Sequence, residues 1–302
     1  MLIRMIPPRA LNYLLTAVVV LALVAAAACS NSPKTIVVGS MNSTEQMLLA
    51  EIVAQHLEHR LGRKVDRRPN LGGTLNAYQA LQNGEINLYP EYAGSIVTEI
   101  LKEQPAADAS LIFERARGEM KRVAQADLLK PLGIDNPFVA VIRVVDPRAQ
   151  KVSTLSEAAA VSEGWILGAS PEFQQLTNGM PALTQYKLPM KAAPRSMSSE
   201  LLFNALEQSA LTMIVARATD GVLTERTLKA LRDDRNLFVS KQACLLVQQN
   251  LLMTQPGVRP ALEELSGRFT TDKMRQLDAL VDLGHLQVKD VAASFLMQAG
   301  LQ

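Results

Sequence analysis

The histidine and cysteine side chains are the first groups in this sequence whose spacing could indicate chemistry. His56 and His59 flank Glu58, but the spacing is one residue short of the His-x-x-Glu-His pattern of one class of zinc enzymes, so it predicts a solvated, charged helix face. His285 has no serine or acid partner in a recognisable pattern, and Cys244 lies in an apolar run. No phosphate-binding loop of the type Gly-x-x-x-x-Gly-Lys occurs. We therefore expect no enzymatic activity, no metal site and no cofactor.

Other residues could bind a solute without changing it. Gly72-Gly73-Thr74 precedes a predicted helix, where backbone N–H groups can bind an anion, but a plain tight turn is an equal possibility. Tyr78, Tyr89, Tyr92 and Tyr186 could contact a ligand, or they could pack in a hydrophobic core. Spacing alone does not separate these alternatives.

The elements that must position these residues alternate between strands and helices. A capping-box pattern of Ser43 with Gln46 predicts the start of a helix that ends at Gly62, and a second helix is predicted at 72–81. Strands are predicted at 35–39, 64–68, 85–89, 139–145, 165–169, 191–193, 211–216 and 237–240, and helices only from 261 onward. This alternation predicts an α/β fold with largely parallel sheets. Because no long linker divides the chain, we expect it to cross between two domains by short segments.

The N-terminal residues have the layout of a secretory signal peptide. Residues 1–28 combine a basic start with an apolar run of about fifteen residues, whereas a membrane-spanning helix, the alternative, needs roughly 20. Cys29 follows directly, and residues 29–33 would form a short tether acylated on that cysteine. Ala26 stands where such signals usually carry leucine, so cleavage without a lipid is a second possibility. We expect a protein anchored through Cys29 on the periplasmic or cell-surface face of the membrane, or otherwise a soluble periplasmic one.

The remaining chain is close to neutral. The sequence has 31 Lys plus Arg and 29 Asp plus Glu, and removing Arg4 and Arg9 with the signal peptide leaves 29 of each. It therefore lacks the basic surface that is typical of nucleic-acid binding. Cys244 is the one cysteine besides Cys29, so an internal disulfide is not expected once Cys29 is acylated.

Six short motifs give the sequence a resemblance to a known family. These are Gly39-Ser40-Met41-Asn42-Ser43-Thr44-Glu45-Gln46, Asn70-Leu71-Gly72-Gly73-Thr74, Gly84-Glu85-Ile86-Asn87-Leu88-Tyr89-Pro90-Glu91-Tyr92-Ala93-Gly94, Ser170-Pro171-Glu172-Phe173, Arg195-Ser196-Met197 and Thr219-Asp220-Gly221. In order and spacing, the chain resembles the substrate-binding proteins of ABC importers for glycine betaine, choline and related osmoprotectants. The resemblance extends from about residue 34 to residue 301.

The resemblance implies a two-lobed periplasmic-binding-protein fold that closes by hinge motion over a ligand in the cleft. Residues 34–136 plus 241–302 would form the first lobe and residues 137–240 the second, with hinges near Phe138 and Ser240. The implied function is capture of a small osmoprotectant-like solute, of the betaine or choline type or a related zwitterion. The implied partners are this solute, an ABC permease with its ATPase, and the membrane surface, and the protein would be a monomer. A sensory binding module is an alternative that the sequence does not exclude.

The resemblance also implies which residues contact the ligand. Relatives surround a trimethylammonium group with aromatic rings, whose faces attract a bulky cation. Tyr92 matches a ring of this cage and Phe138, just after Asn136, matches a second. Ser95 and Arg195 match a hydroxyl and a guanidinium that contact ligand.

Three cleft positions depart from the family pattern. Arg217 and Lys241 stand where aromatic rings are expected, and Met41 stands where relatives commonly carry lysine. Two unit charges about 4 Å apart repel by roughly 4 kcal/mol at an effective dielectric near 20, more than the roughly 0.5 to 2 kcal/mol of one cation–π contact. If both basic side chains face the cleft, a carboxylate or other anionic solute is favoured. If they point outward or pair with acids such as Asp220, a betaine-type osmolyte remains the prediction.

Overall fold

The computed structural model describes residues 35–147, 151–176 and 178–302. The predicted signal peptide, the acylated Cys29 and the tether lie outside the described residues. Residues 36–302 form one compact unit that contains two five-stranded sheets. Nowhere in the described ranges is a helix both long enough and apolar enough to cross a bilayer.

The strands of the described residues are numbered β1 to β10 in chain order. They are β1 (Ile36–Gly39), β2 (Val65–Arg68), β3 (Leu88–Tyr92), β4 (Ala126–Leu128), β5 (Phe138–Arg143), β6 (Leu167–Ala169), β7 (Arg195–Ser196), β8 (Met213–Arg217), β9 (Leu228–Leu231) and β10 (Ala243–Gln248). The first sheet has the order β2-β1-β3-β10-β4, and the second has the order β7-β6-β8-β5-β9. The two-lobed α/β fold is thus confirmed, with one sheet in each lobe.

The helices of the described residues are numbered in the same way. They are α1 (Thr44–Leu61), α2 (Thr74–Gln82), α3 (Ala93–Ser95), α4 (Ala109–Val123), α5 (Leu155–Ala159), α6 (Pro171–Gln175), α7 (Met180–Thr184), α8 (Ser199–Glu207), α9 (Gln249–Thr254), α10 (Val258–Glu263), α11 (Thr271–Asp282) and α12 (Val288–Gln298). A π-helical turn (Ile96–Ile100) continues α3, and a 3-10 turn (Gly221–Thr224) follows β8. All five residues of β3 are buried, so both faces of this central strand are covered.

Both sheets are mixed, which corrects the prediction of largely parallel strands. In the first sheet β1 runs parallel to β2 and β3, whereas β10 runs antiparallel to β3 and β4. In the second sheet β6 is parallel to β7 and β8, but β5 is antiparallel to β8 and β9. The reversed strands β5 and β10 each follow a segment that crosses between the sheets. A strand that enters from the cleft begins at the sheet edge where its neighbours end, so it must run against them.

Two predicted strands are absent from the described structure. Residues 191–193 form a bend before β7, and residues 237–240 form an irregular segment outside both sheets. In the second segment Phe238 is buried with its ring 6.0 Å from that of Phe173, and its backbone N–H donates to Asp233 at 2.6 Å. This apolar segment therefore packs into the core of the second lobe without strand pairing. The backbone N–H of Phe238 is satisfied by the side chain of Asp233.

Helix α1 shows how local sequence signals and tertiary packing combine. Ser43 caps it by accepting from the N–H of Gln46 at 3.4 Å, and Gly62 ends it with φ of 64°, a left-handed conformation that glycine adopts readily. The predicted solvated face is wrong for His56, which is fully buried, with Nδ1 and Nε2 each 2.9 Å from a carbonyl oxygen, of Leu301 and Ala261 respectively. His59 is exposed, as predicted.

The two crossing segments lie side by side. Asp135 and Gln242 form an isolated antiparallel bridge, and the N–H of Asn136 donates to the carbonyl oxygen of Lys241 at 3.0 Å. The carboxylate of Asp135 accepts from the N–H of Lys241 at 2.6 Å and from the hydroxyl of Ser240 at 3.1 Å. These bonds bring Asn136 and Lys241, distant in sequence, to the same point between the sheets.

Candidate functional site

A cavity of about 880 Å³ lies between the edges of the two sheets. It is lined by residues that follow β1 and β3, by the crossing segments, by the end of β8 and by α11. Its volume is within the range of about 300 to 1,000 Å³ that is typical of small-molecule sites. Both the fold and the size of the cavity therefore indicate a site for one compact solute.

The structure brings together seven of the eight ligand contacts proposed from the sequence. Those that line the cavity are Met41, Tyr92, Ser95, Asn136, Phe138, Arg217 and Lys241. Arg195 does not line it, because β7 is the edge strand of the second sheet and the exposed guanidinium points toward the carbonyl oxygen of Ala210 at 3.4 Å.

Met41 and Ser95 occupy the wall formed by the first lobe. Met41 follows β1 and is 5% exposed, and its sulfur accepts from the hydroxyl of Thr74 at 3.7 Å. Thr74 begins α2 directly after Gly73, so the Gly-Gly-Thr motif does contribute to the wall of the cavity. Ser95 is fully buried at the start of the π-helical turn. These residues give the wall a thioether and two hydroxyl groups.

Phe138 and Arg217 are cross-strand partners at the cleft ends of β5 and β8. This register places the guanidinium carbon of Arg217 3.7 Å from the centroid of the Phe138 ring, so one face of that ring is covered by a protein cation. Nη2 of Arg217 donates to Glu172, whereas Nη1 is buried without a hydrogen-bond partner among the described residues. The ring that was expected to form part of a cage therefore stacks on an arginine.

Lys241 is buried on the crossing segment before β10. Its Nζ lies 3.4 Å from Oε1 of Glu99 and 5.8 Å from the centroid of the Phe138 ring. Burial, followed by the charge of Arg217, lowers the pKa of Lys241 to about 8. The cavity thus contains two basic groups near one another, and each has an acidic partner.

The cavity is also lined by acidic groups, a feature that the sequence motifs did not predict. Glu45, at the start of α1, accepts from the hydroxyl of Tyr92 and from Nδ2 of Asn136 at 3.1 Å. Burial raises the pKa of Glu45. Asn136 in turn accepts from the N–H of Thr219 at 3.2 Å, so its amide is fixed between the two lobes. Tyr92 is therefore a hydrogen-bond donor to a carboxylate as well as a ring.

Three aspartates, Asp220, Asp278 and Asp282, also line the cavity. Asp278 on α11 is 3% exposed, and its Oδ1 has no hydrogen-bond partner among the described residues. Burial, followed by the charges of Glu45, Asp282 and Asp220, raises the pKa of Asp278 to about 10. Burial also raises the pKa of Asp220 to about 6. Glu45 and Asp220 lie in quoted motifs, but no sequence signal distinguished Asp278 from a solvent-facing helix residue.

Helix α11 also joins the two lobes. Nε and Nη2 of Arg275 donate to the carbonyl oxygen of Ala218 at 2.9 and 2.7 Å. Gly221 packs against the same helix so closely that an added Cβ would lie 2.5 Å from the backbone nitrogen of Ala279. The lobes are therefore in direct contact beside the cavity. Within the described residues no group of three or more His, Cys, Asp or Glu side chains has metal-binding geometry.

Comparison with known proteins decides the family. Residues 34–298 match the model of the family described as the substrate binding domain of ABC-type glycine betaine transport systems. The chain belongs to this family. The resemblance inferred from the six motifs is thereby confirmed.

Individual members of the family are distant relatives. A carnitine transport binding protein of Listeria monocytogenes is 24% identical over 271 residues, which cover 89% of this chain and 87% of that protein. A glycine-betaine-binding protein of Pseudomonas aeruginosa is 25% identical over 276 residues, covering 88% of each chain. The solved structure of a glycine betaine/carnitine/choline ABC transporter protein has a TM-score of 0.80 at 23% identity and covers 88% of this chain and 99% of that one. At this identity the structural likeness shows the fold, and the ligand must be argued from the cavity.

Proposed function

We propose that this family member is the extracytoplasmic solute-binding component of an ABC importer, and that its ligand is a small zwitterion. The observation that carries the proposal is the cavity, which is lined by basic groups, Arg217 and Lys241, and by acidic groups, Glu45 and Asp278. Among the described residues, Nη1 of Arg217 and Oδ1 of Asp278 are buried without hydrogen-bond partners. A purely cationic solute would leave the first without an acceptor, and a purely anionic one would leave the second without a donor. A solute that carries both charges can pair with both atoms.

The proposal includes a division into two moving parts. Residues 34–136 plus 241–302 form one lobe and residues 137–240 form the other, with hinges near Phe138 and Ser240. The paired crossing segments support this division because Asp135 joins them by short hydrogen bonds while the chain passes between the sheets twice. The eight cleft residues proposed above, including Arg195, are the ligand contacts, and Arg195 would reach the ligand only through movement of the edge strand.

Direct titration tests the function. Protein stripped of bound solute by unfolding and refolding should bind at least one member of a panel of glycine betaine, carnitine, choline and other small solutes of one or both charges, in isothermal titration calorimetry. Small-angle scattering should show a smaller radius of gyration with ligand. Deletion of the gene should abolish uptake of the same solute. Absence of binding across the panel together with unchanged uptake would refute the proposal.

We also propose that the protein is a monomer held on the outer face of the membrane by acylation of Cys29 and that it delivers its solute to a permease and ATPase. Its place in an importer family supports the last point. Cys29→Ser should move the protein from the membrane fraction to the soluble fraction without changing its affinity for solute, because Cys29 is not one of the proposed ligand contacts. Fractionation followed by immunoblotting measures this change, and a Cys29→Ser protein that stays in the membrane fraction would contradict the anchor.

A further inference from the structure

We infer that the cavity selects a solute whose cationic group carries N–H donors, such as a primary or secondary ammonium or a guanidinium, and that Asp278 accepts from it. This inference rests on the proposed function, since it concerns the ligand of the same cavity. It separates this chain from a protein built for a trimethylammonium group, which has no hydrogen to donate.

The first observation is the unpaired carboxylate oxygen. Asp278 is 3% exposed and lines the cavity, and its Oδ1 is buried without a hydrogen-bond partner among the described residues. A buried polar atom without a partner is costly, and a ligand N–H would provide the missing bond. Methyl groups on a quaternary nitrogen cannot provide it.

The position of Asp278 is held by backbone packing. Its helix, α11, approaches Gly221 so closely that an added Cβ would lie 2.9 Å from the carbonyl carbon of Asp278. Arg275, one turn earlier, holds the same helix to the carbonyl oxygen of Ala218. Asp278 is therefore presented to the cavity by a helix that is fixed to both lobes, and it cannot easily withdraw to water when a ligand fails to pair with it.

The second observation is that a protein cation already occupies one of the aromatic rings. One face of Phe138 carries the guanidinium of Arg217 at 3.7 Å. A trimethylammonium group is bound chiefly by open ring faces. The cavity offers fewer of these faces than its aromatic residues suggest, whereas it offers carboxylate oxygens.

The third observation concerns the other end of the solute. Nη1 of Arg217 is a buried donor with no hydrogen-bond partner in the part of the chain that the structure describes, and Arg217 lines the same cavity as Asp278. The charge of Glu45 acts on both Arg217 and Asp278, so the two unpaired groups share one electrostatic environment. An unpaired donor and an unpaired acceptor in one cavity fit a solute with an anionic group at one end and an N–H-bearing cation at the other.

Charged groups around Asp278 favour a cationic ligand group at this position. Glu45 on α1, Asp282 on α11 and Asp220 on the facing turn all act on Asp278, and burial together with these charges raises its pKa to about 10. The nearby cation Arg275 acts on Asp220. Near neutral pH the empty site therefore holds a proton on Asp278. A cationic ligand displaces it, so binding should release up to one proton.

A series of ligands that differ only in methylation tests the inference. Glycine, sarcosine, N,N-dimethylglycine and glycine betaine share a carboxylate and carry three, two, one and no N–H donors, and γ-aminobutyrate with its trimethylated analogue extends the comparison to a longer spacing. Calorimetry on the purified full-length protein should give, for at least one spacing, an N–H-bearing member that binds on the order of 10-fold to 100-fold more tightly than its trimethylated analogue.

Substitution of Asp278 assigns the preference to this residue. Asp278→Asn, which keeps the shape and removes the charge, should weaken binding of the N–H-bearing member about 10-fold or more and reduce its advantage over the trimethylated analogue to within about 3-fold. Titrations in phosphate and in Tris, which differ in ionisation enthalpy, should show proton release for the wild type and none for Asp278→Asn. The matched control is Asp290→Asn, at an exposed helix position outside the cavity lining, which should behave as wild type.

The outcomes separate this inference from the proposed function. Tighter binding of the trimethylated member at every spacing, or an unchanged preference in Asp278→Asn, would overturn the inference and leave the proposed function intact. Failure of every member of the panel, with and without N–H groups, would overturn both. Because the wild-type series is informative by itself, the test does not depend on folding of the variant.

Discussion

Replacing Gly221 by alanine adds one methyl group at the point where the lobes touch. The new Cβ would lie 2.5 Å from the backbone nitrogen and 2.7 Å from Cα of Ala279 on α11. Backbone atoms of a helix cannot rotate away as a side chain could, so the turn and the helix must separate by about an ångström to reach ordinary contact. Gly221 does not have a positive φ, so alanine is acceptable to the turn itself. The strain therefore falls on the contact between the lobes.

The expected magnitude follows from the cost of overpacking. Inserting a methyl group into a packed contact costs about 1 to 3 kcal/mol. Because this cost applies when the lobes are together and is relieved when they part, it shifts the equilibrium toward the open arrangement. The ligand must then supply the difference, which weakens apparent affinity by about 5-fold to 150-fold. Stability of the separate cores should change little.

The assay is calorimetric titration of the solute that binds the wild type most tightly, with the thermal midpoint measured in parallel. Small-angle scattering should show a larger radius of gyration for Gly221→Ala than for the wild type. The control is Gly118→Ala on the exposed side of α4, where an added Cβ meets no atom within 4 Å. Wild-type affinity and an unchanged radius of gyration in Gly221→Ala would refute the reasoning that this contact accompanies ligand binding.

Two further substitutions test buried polar groups. His56→Gln should lower the free energy of unfolding by about 1 to 3 kcal/mol, because the ring contacts two buried carbonyl oxygens. Urea titration measures this loss. The control is His59→Gln at an exposed position, and an equal loss of stability in that variant would contradict the explanation. Lys241→Met should raise the free energy of unfolding at pH 7 by at most about 3 kcal/mol, since burial lowers the lysine pKa to about 8. A lysine pKa that is lower in the folded state makes the wild type gain stability as pH rises from about 8 toward 10.5, so the advantage of Lys241→Met should shrink over that range. Thermal unfolding measured from pH 7 to pH 11 would contradict this if the advantage were constant.

Local sequence signals predicted a helix or strand correctly where the tertiary environment favours the same conformation. The helix from Ser43 to Gly62 is present because a capping side chain and a left-handed glycine specify its ends. The strand predicted at 237–240 is wrong because an apolar segment can be buried without pairing, as Phe238 is. The direction of β5 and β10 was also beyond local signals, since it depends on where the chain re-enters each sheet.

Some residues of the candidate site were also identified from sequence motifs, whereas the role of others depends on the tertiary structure. Motifs pointed to Tyr92, Ser95 and Asn136, which lie beside the strand ends that face the cleft. Arg217 was noted as a departure from the family, but its stacking on Phe138 follows from the register of two strands that are 79 residues apart at this pair. Glu45 was part of a quoted motif without an assigned role. Asp278 was not identified at all, because helical periodicity gives the same pattern for a face toward water and a face toward a cavity.

The sequence by itself determined the family, the alternation of strands and helices, and seven of the residues that line the cleft, because these depend on short motifs and local propensity. Only the tertiary structure decided which charges meet. The unpaired oxygen of Asp278 and the unpaired nitrogen of Arg217 line one cavity because α11 and β8 pack there from distant parts of the chain. Electrostatic selectivity depends on distance and burial, and neither quantity exists until the two lobes have folded against each other.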